Sequence, residues 1–371
     1  MIDTIRLIVP KADMSFVAGI NWELYSKAEQ YDKFVRNPTK AMRDTGLYFP
    51  RLTGYRRGFR DDANVLIEFS VPKLLYLNNL DELEDKDFPE VIRVLRERLR
   101  TMGIMILSTV LEKASVSAVH FSKNILLKDN YTASHLISEM NKVDLRKSFD
   151  FARSRYINDG ESIHAHTKAH QLVIYDKVAD LTKDKKRVID KDQTTYQLNL
   201  FAELKKEKEL KEIIRFEVRL SQKQKMDSVL KSLGYKKSPT FKEVFNTEIS
   251  KKVLNDYWQR LIKERNLGIF SVQISVKDIL RTLFLADKAL KPKQAIYLLG
   301  LFLLAKDENG MRELRSIVSK KATSETWYRI AKDMRKSSEL ITKNKLRDWV
   351  TQIDKALEEY KPYKHKKLST S

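Results

Sequence analysis

The chain has 371 residues, a length that by default holds two domains. Its 42% hydrophobic and 9% aromatic content supplies a real core and excludes a disordered chain, while the absence of cysteine excludes disulfides, thiol catalysis and thiolate metal sites. Lys and Arg total 71 against 50 Asp and Glu, and the resulting charge of +21 points to a polyanionic partner, nucleic acid ahead of an acidic membrane surface.

The N-terminal MIDTIRLIVP has neither the basic nor the apolar region of a targeting signal. It alternates as a strand, with Ile5, Leu7 and Val9 on one face. Further strands are predicted at Asn64–Val71, Val116–Ser122, Ser162–Thr167, Gln171–Lys177 and Ile213–Leu220, each bounded by polar or turn residues. Helices of 3.6 period lie between them, the longest predicted over Phe88–Leu111, with shorter ones at Thr132–Met140 and Lys223–Leu233. Gly234–Thr240, with its Gly, Pro and two lysines, is the expected domain boundary. Beyond it, Glu248–Arg265, Val276–Ala286, Pro292–Ala305, Met311–Lys320, Ser324–Met334 and Ser338–Tyr360 read as consecutive helices. Pro292 suits a first helical turn and Ser324 an N-cap. The longest apolar run, Ala295–Ala305, is far shorter than the ~20 residues that span a bilayer, so a buried helix in a cytoplasmic protein is expected. The fold class is therefore α+β: an antiparallel sheet with helices on one face over residues 1–235, an all-helical domain over 236–360, and a basic disordered tail over 361–371.

Alternation sorts the strand residues into two faces. Val65, Ile67, Phe69 and Val71 oppose Glu68; Ile214, Phe216, Val218 and Leu220 oppose Arg215, Glu217 and Arg219. Leu172 and Ile174 oppose Gln171, Val173, Tyr175 and Lys177, while His120 lies with Val116 and Ala118, opposite Val119 and Phe121. Three of the six histidines fall within seven residues, and His164 and His166 share a face at a spacing that can hold one divalent ion. One face is thus apolar and takes the helices. The other collects carboxylates, imidazoles, a tyrosine and cations, the ingredients of metal-assisted phosphoryl chemistry, although a solvated sheet face carries such charges without any function. A phenol at its ordinary pKa of about 10 is almost wholly neutral at pH 7, so Tyr175 needs a cation such as Lys177 or a metal-polarised phosphate to attack phosphorus.

Five blocks carry a resemblance: DTIRLIVP at the start, IEFSVPKLLYLNNLDEL at 67–83, VHFSKNILL at 119–127, ESIHAHTKAHQLVIYDKVADL at 161–181 and RFEVRL at 215–220. In order and spacing, over roughly the first 235 residues, they resemble the replication initiators of the filamentous-phage gene II/X type and their rolling-circle plasmid relatives, which are related to the HUH endonucleases. The resemblance implies a metal-dependent enzyme that nicks one strand of a replication origin, single-stranded or hairpin, through a 5′-phosphotyrosine and later rejoins it. It implies Tyr175 as nucleophile with Lys177 beside it, and Mg²⁺ or Mn²⁺ on Glu68, His120 and Glu217, with His164 and His166 as the second ligand set. Arg215 and Arg219 are expected to grip flanking phosphates, and Arg56, Arg57, Arg60 and Lys73 to bind DNA, since Tyr48–Arg60 interleaves aromatics with arginines. The runs Lys343–Arg347 and Lys364–Lys367 are expected to add duplex binding, and Tyr156 is a candidate for a second transfer. No GxxxxGK[ST] loop is present, so a host helicase would unwind the duplex and a host polymerase extend the 3′ end. A non-catalytic single-stranded nucleic-acid-binding module would explain the charge but not the acids, a water-using metal nuclease would leave no adduct, and a plasmid relaxase would share the chemistry.

Overall fold

The computed structural model describes residues 1–20, 22–27, 32–57, 60–145, 154–157, 162–182, 211–263, 269–270, 275–341 and 347–365, with the backbone alone for 56–57, 60–63, 154–157, 181–182 and 261. Twelve strands occur among them: β1 Ile2–Pro10, β2 Met14–Phe16, β3 Glu23–Lys27, β4 Asp32–Arg36, β5 Arg51–Arg57, β6 Arg60–Ser70, β7 Ile104–Ile106, β8 Ser115–Leu126, β9 Ser154–Ile157, β10 Ser162–His166, β11 His170–Asp176 and β12 Ile213–Leu220. Ten of them form one sheet in the order β3-β4-β5-β6-β1-β8-β12-β11-β10-β9, every neighbouring pair antiparallel. β2 and β7 form a separate pair.

The apolar face is as alternation predicts. Ile5, Leu7, Val65, Ile67, Phe69, Val119, Phe121, Phe216, Val218, Leu172 and Ile174 are all buried. They pack against helices such as Phe88–Thr101, which contributes Val91, Ile92, Val94, Leu95 and Leu99. Two bulges break the alternation where β1 meets β8. One extra residue between Ile2 and Thr4 shifts the pairing of β1 with β8, and a second shift puts Leu7 opposite Val116 while Arg6 stays opposite Ala118. Val116 therefore joins the buried face, not the face of His120.

The helix expected over Phe88–Leu111 stops at Thr101. Gly103 adopts φ +82°, a left-handed turn that ends it, and β7 and a short helix, Ser108–Lys113, follow. The polar, exposed β3 has no apolar period, so the hairpin it forms with β4 leaves no mark in the hydropathy pattern. Lys177 lies one residue past β11, at the start of the helix Lys177–Thr182, and Val71 likewise starts a helix.

After Thr240 the described residues form helices, turns and irregular segments. Pro292 occupies the first turn of Pro292–Lys306 as expected, but Thr323, not Ser324, caps the next long helix, its Oγ1 accepting from the Thr326 amide. That helix runs to Ile341, so Ser338 lies within it, and the last helix is Asp348–Glu359. The apolar helix Pro292–Lys306 is only half buried: Ile296, Tyr297, Leu303 and Leu304 are exposed. No helix among the described residues is long and apolar enough to cross a membrane.

The expected boundary at Gly234–Thr240 is not a break in packing. Pro239 and Ala114 accept backbone hydrogen bonds from Val116 and Phe241, and one hydrophobic cluster runs from Met1 to Tyr360. A chain of ring contacts, Phe216–Trp258–Phe270–Trp349, links the sheet to the last helix. The tail expected to be disordered from residue 361 is held through residue 365: the Tyr363 amide donates to Glu82 (2.8 Å), and Lys123 donates to the Lys361 carbonyl (2.7 Å) and pairs with Glu82. Residues 366–371 lie outside the described residues.

Candidate active site

The strand register assembles the polar face. Tyr175, Val173 and Gln171 of β11 lie opposite Arg215, Glu217 and Arg219 of β12, and these lie opposite Asn124, Ser122 and His120 of β8. On the other side of β11, Ser162, His164 and His166 of β10 stand opposite Tyr175, Val173 and Gln171. Directly opposed residues in an antiparallel pair share a face, so one surface carries all of these groups.

At its centre, Asp3, His120 and Glu217 each offer a ligand atom, and these atoms all lie within 4.8 Å of one another. Asp3 is absent from the ligand set that the sequence suggests. Strict alternation puts it with Ile5 and Leu7 on the apolar face, and it occupies the extra position between Ile2 and Thr4 that breaks the period. Two carboxylates and one imidazole are a donor set that could hold a divalent metal ion.

Arginines hold both carboxylates. Arg215 Nη2 donates to Asp3 Oδ1 (2.6 Å) and to Ser122 Oγ (2.8 Å), and its Nη1 donates to the Asn79 carbonyl (2.6 Å). Arg219 donates from Nε and Nη2 to the two oxygens of Glu217 (2.9 and 3.2 Å), and His120 Nδ1 stands 3.7 Å from Oε1. Burial alone would raise the pKa of Asp3, but Arg215 and Lys177 outweigh it and hold the carboxyl below its usual range. Burial also acts to raise Glu217, and Arg219 prevails over it, so that carboxyl is likewise lowered. Burial lowers the pKa of His120, partly offset by Glu217, so a neutral imidazole with ligand character is favoured.

Tyr175 is partly buried, and burial pushes its phenol above the ordinary value; Arg215 opposes the shift, while Glu217 and Asp3 reinforce it. Lys177 is 0% exposed, its Nζ lies 5.6 Å from the centre of the Tyr175 ring, and it has no hydrogen-bond partner among the described residues. Burial, with Arg215 adding to it, lowers this amine to about 7.

The structure therefore brings together Tyr175, Lys177, His120 and Glu217 and adds Asp3. Glu68 lies outside the cluster, ion-paired to Arg6 at 3.8 Å. It borders a depression of about 220 Å³ that Arg6, His120 and Ser221 also line. His164 and His166 share the face but not the cluster. Burial and Arg219 lower the pKa of His164. Arg215, expected to grip DNA, is 2% exposed with three acceptors inside the protein, so it orders the site and offers no face to phosphate. Arg219 is partly exposed but chelated by Glu217, and Lys73 lies in a short helix, Val71–Tyr76, from which its field reaches Asp3 and Lys177. The side chains of Arg56, Arg57, Arg60 and Tyr156 lie outside the described residues, as do residues 343–346.

Comparison of the chain with models of known families, with curated proteins and with solved structures finds no match.

Proposed function

We propose that the chain is a rolling-circle replication initiator that nicks and rejoins one DNA strand through Tyr175. The observation that carries this is a partly buried tyrosine, a buried lysine beside its ring and an Asp-His-Glu cluster gathered at one site, on a chain of charge +21. Tyr175 Oη attacks phosphorus, the bond from phosphorus to the 3′ oxygen breaks, and that oxygen leaves as the primer end. Lys177, an amine held near neutrality beside the Tyr175 ring, would take the phenolic proton and pass it to the departing 3′ oxygen, with the reverse transfer on rejoining. Arg215 fixes Asp3, and Arg219 fixes Glu217, before substrate arrives. A Mg²⁺ or Mn²⁺ held by Asp3, His120 and Glu217 would supply Lewis-acid polarisation of the phosphate. The bond exchange conserves the phosphodiester, so no nucleotide hydrolysis is needed.

The test is mass spectrometry of the protein incubated with single-stranded DNA from its own locus and Mn²⁺. A nucleotide adduct on the peptide carrying Tyr175 is expected, lost with EDTA, with Tyr175→Phe and, in large part, with Asp3→Asn. The pairing of both carboxylates with arginines favours a second reading, a binding surface without catalysis. Salt-sensitive DNA binding with neither cleavage nor adduct would select it, and cleavage without an adduct would select a nuclease that uses water.

A further inference from the structure

We propose that the groove on the outer strands β3 to β6 is a binding track for single-stranded DNA that leads into the Tyr175 site, an inference that rests on the nicking function above. The groove encloses about 740 Å³ and is lined by Tyr25, Lys33, Lys40, Arg43, Arg51 and Glu68, among others. Register puts it on the same face as the site, since Arg51 lies opposite Glu68, and Glu68 shares its face with Arg6. Glu68 lines both this groove and the depression that reaches His120, so the two adjoin at that residue.

Its chemistry suits an unpaired strand. Four cations face two acids there, Glu23 and Glu68, and Glu68 is already matched by Arg6. Tyr25 is 67% exposed, at the irregularity that shifts the β3–β4 register between Leu24 and Ser26, and Lys33 Nζ lies 4.5 Å from its ring centre. An exposed ring backed by a cation is a stacking platform for a base, and flanking lysines and arginines neutralise backbone. From β6 to β3 is three strand spacings, about 14 Å. That is about four nucleotides at the rise of one strand of duplex DNA.

Fluorescence anisotropy of the full chain with a labelled single-stranded oligonucleotide, and with the same sequence as duplex, tests this across a salt series. Tyr25→Ala should weaken single-strand binding about tenfold with no change in salt slope, and Tyr25→Phe should restore it. Lys40→Ala with Arg43→Ala should reduce the slope of log affinity against log salt by about 1.4, at about 0.7 for each phosphate no longer neutralised. All three side chains are exposed, and a thermal melt confirms that each variant folds. Unchanged single-strand affinity in both variants, or an equal loss on duplex, would overturn the track. The two proposals fail separately: an adduct on Tyr175 with binding untouched by these variants removes the track alone, whereas groove-dependent binding with no adduct removes the nicking function alone.

Discussion

Lys177 is buried at a cost to stability. Burial without a hydrogen-bond partner among the described residues lowers its amine to about 7, against an ordinary value of 10.5. Between those two values the unfolded chain binds more protons than the folded one. Stability therefore rises with pH across the window from about 7 to 10.5, and the penalty is complete below 7. Lys177→Met should melt above the parent protein at pH 7, with the gap closing as pH approaches 10.5, while adduct formation drops severely. Thermal melts followed by circular dichroism from about pH 6 to 10 measure this, and parallel profiles for the two proteins would refute it. Asp3 and Glu217 act in the opposite sense. Their depressed values make the stability they contribute complete above their ordinary 3.8 and 4.5, and it is lost as pH falls through the lowered values. Tyr175, His120 and Glu217 are legible in the sequence because alternation in regular strands is a local property. Asp3 is hidden there, because its direction is decided by a register irregularity against another strand.

Elements end where backbone geometry, not hydropathy, changes. Apolar periodicity continues past Thr101, yet Gly103 turns the chain at φ +82°, and a Cβ there would meet Ile20 Cδ1 at 2.9 Å. Gly103→Val should cost about 2 kcal/mol or more, the left-handed penalty plus the displacement of Ile20, measured as a lowered urea midpoint. An unchanged midpoint would mean that the turn is set elsewhere. The same logic explains Lys177. The pattern predicts a strand through that residue, but β11 stops at Asp176, whose Oδ1 accepts the amides of Val178 and Ala179 (2.9 Å each) and turns the chain into a helix. Lys177 thus reaches Tyr175 from a helix start, not from the next pleat. β3 and β4 are silent in the sequence because hydropathy marks only strands with a buried face, and β3 is exposed throughout.

At the scale of the molecule, the sheet and the later helices share one core. Phe69 and Phe88 meet Phe241, and Phe216 begins the ring chain that ends on the fully buried Trp349. Three of the four tryptophans, Trp258, Trp327 and Trp349, are buried in the helical part and report on it by fluorescence, whereas far-ultraviolet circular dichroism reports both parts. Urea unfolding followed by the two probes should give coincident curves, and two separated transitions would restore an independent helical domain. A chain cut after residue 235 should fail to fold, since it would expose the sheet residues that Phe241, Leu254 and Trp258 cover.

Composition, charge and period are sums or short-range patterns, so the sequence by itself determined an antiparallel α+β chain, its strands' apolar faces and most of the polar cluster. Three things depended on residues far apart in the chain meeting in space. The first was which carboxylate completes the cluster: Asp3 in place of Glu68, because a bulge turns one and Arg6 engages the other. The second was the role of Arg215, a phosphate ligand by pattern but a buried strut once Asp3, Ser122 and Asn79 converge on it. The third was the union of the sheet and the helices, since a Gly- and Pro-containing segment marks a turn in the backbone but says nothing of whether the surfaces on either side will close into one core.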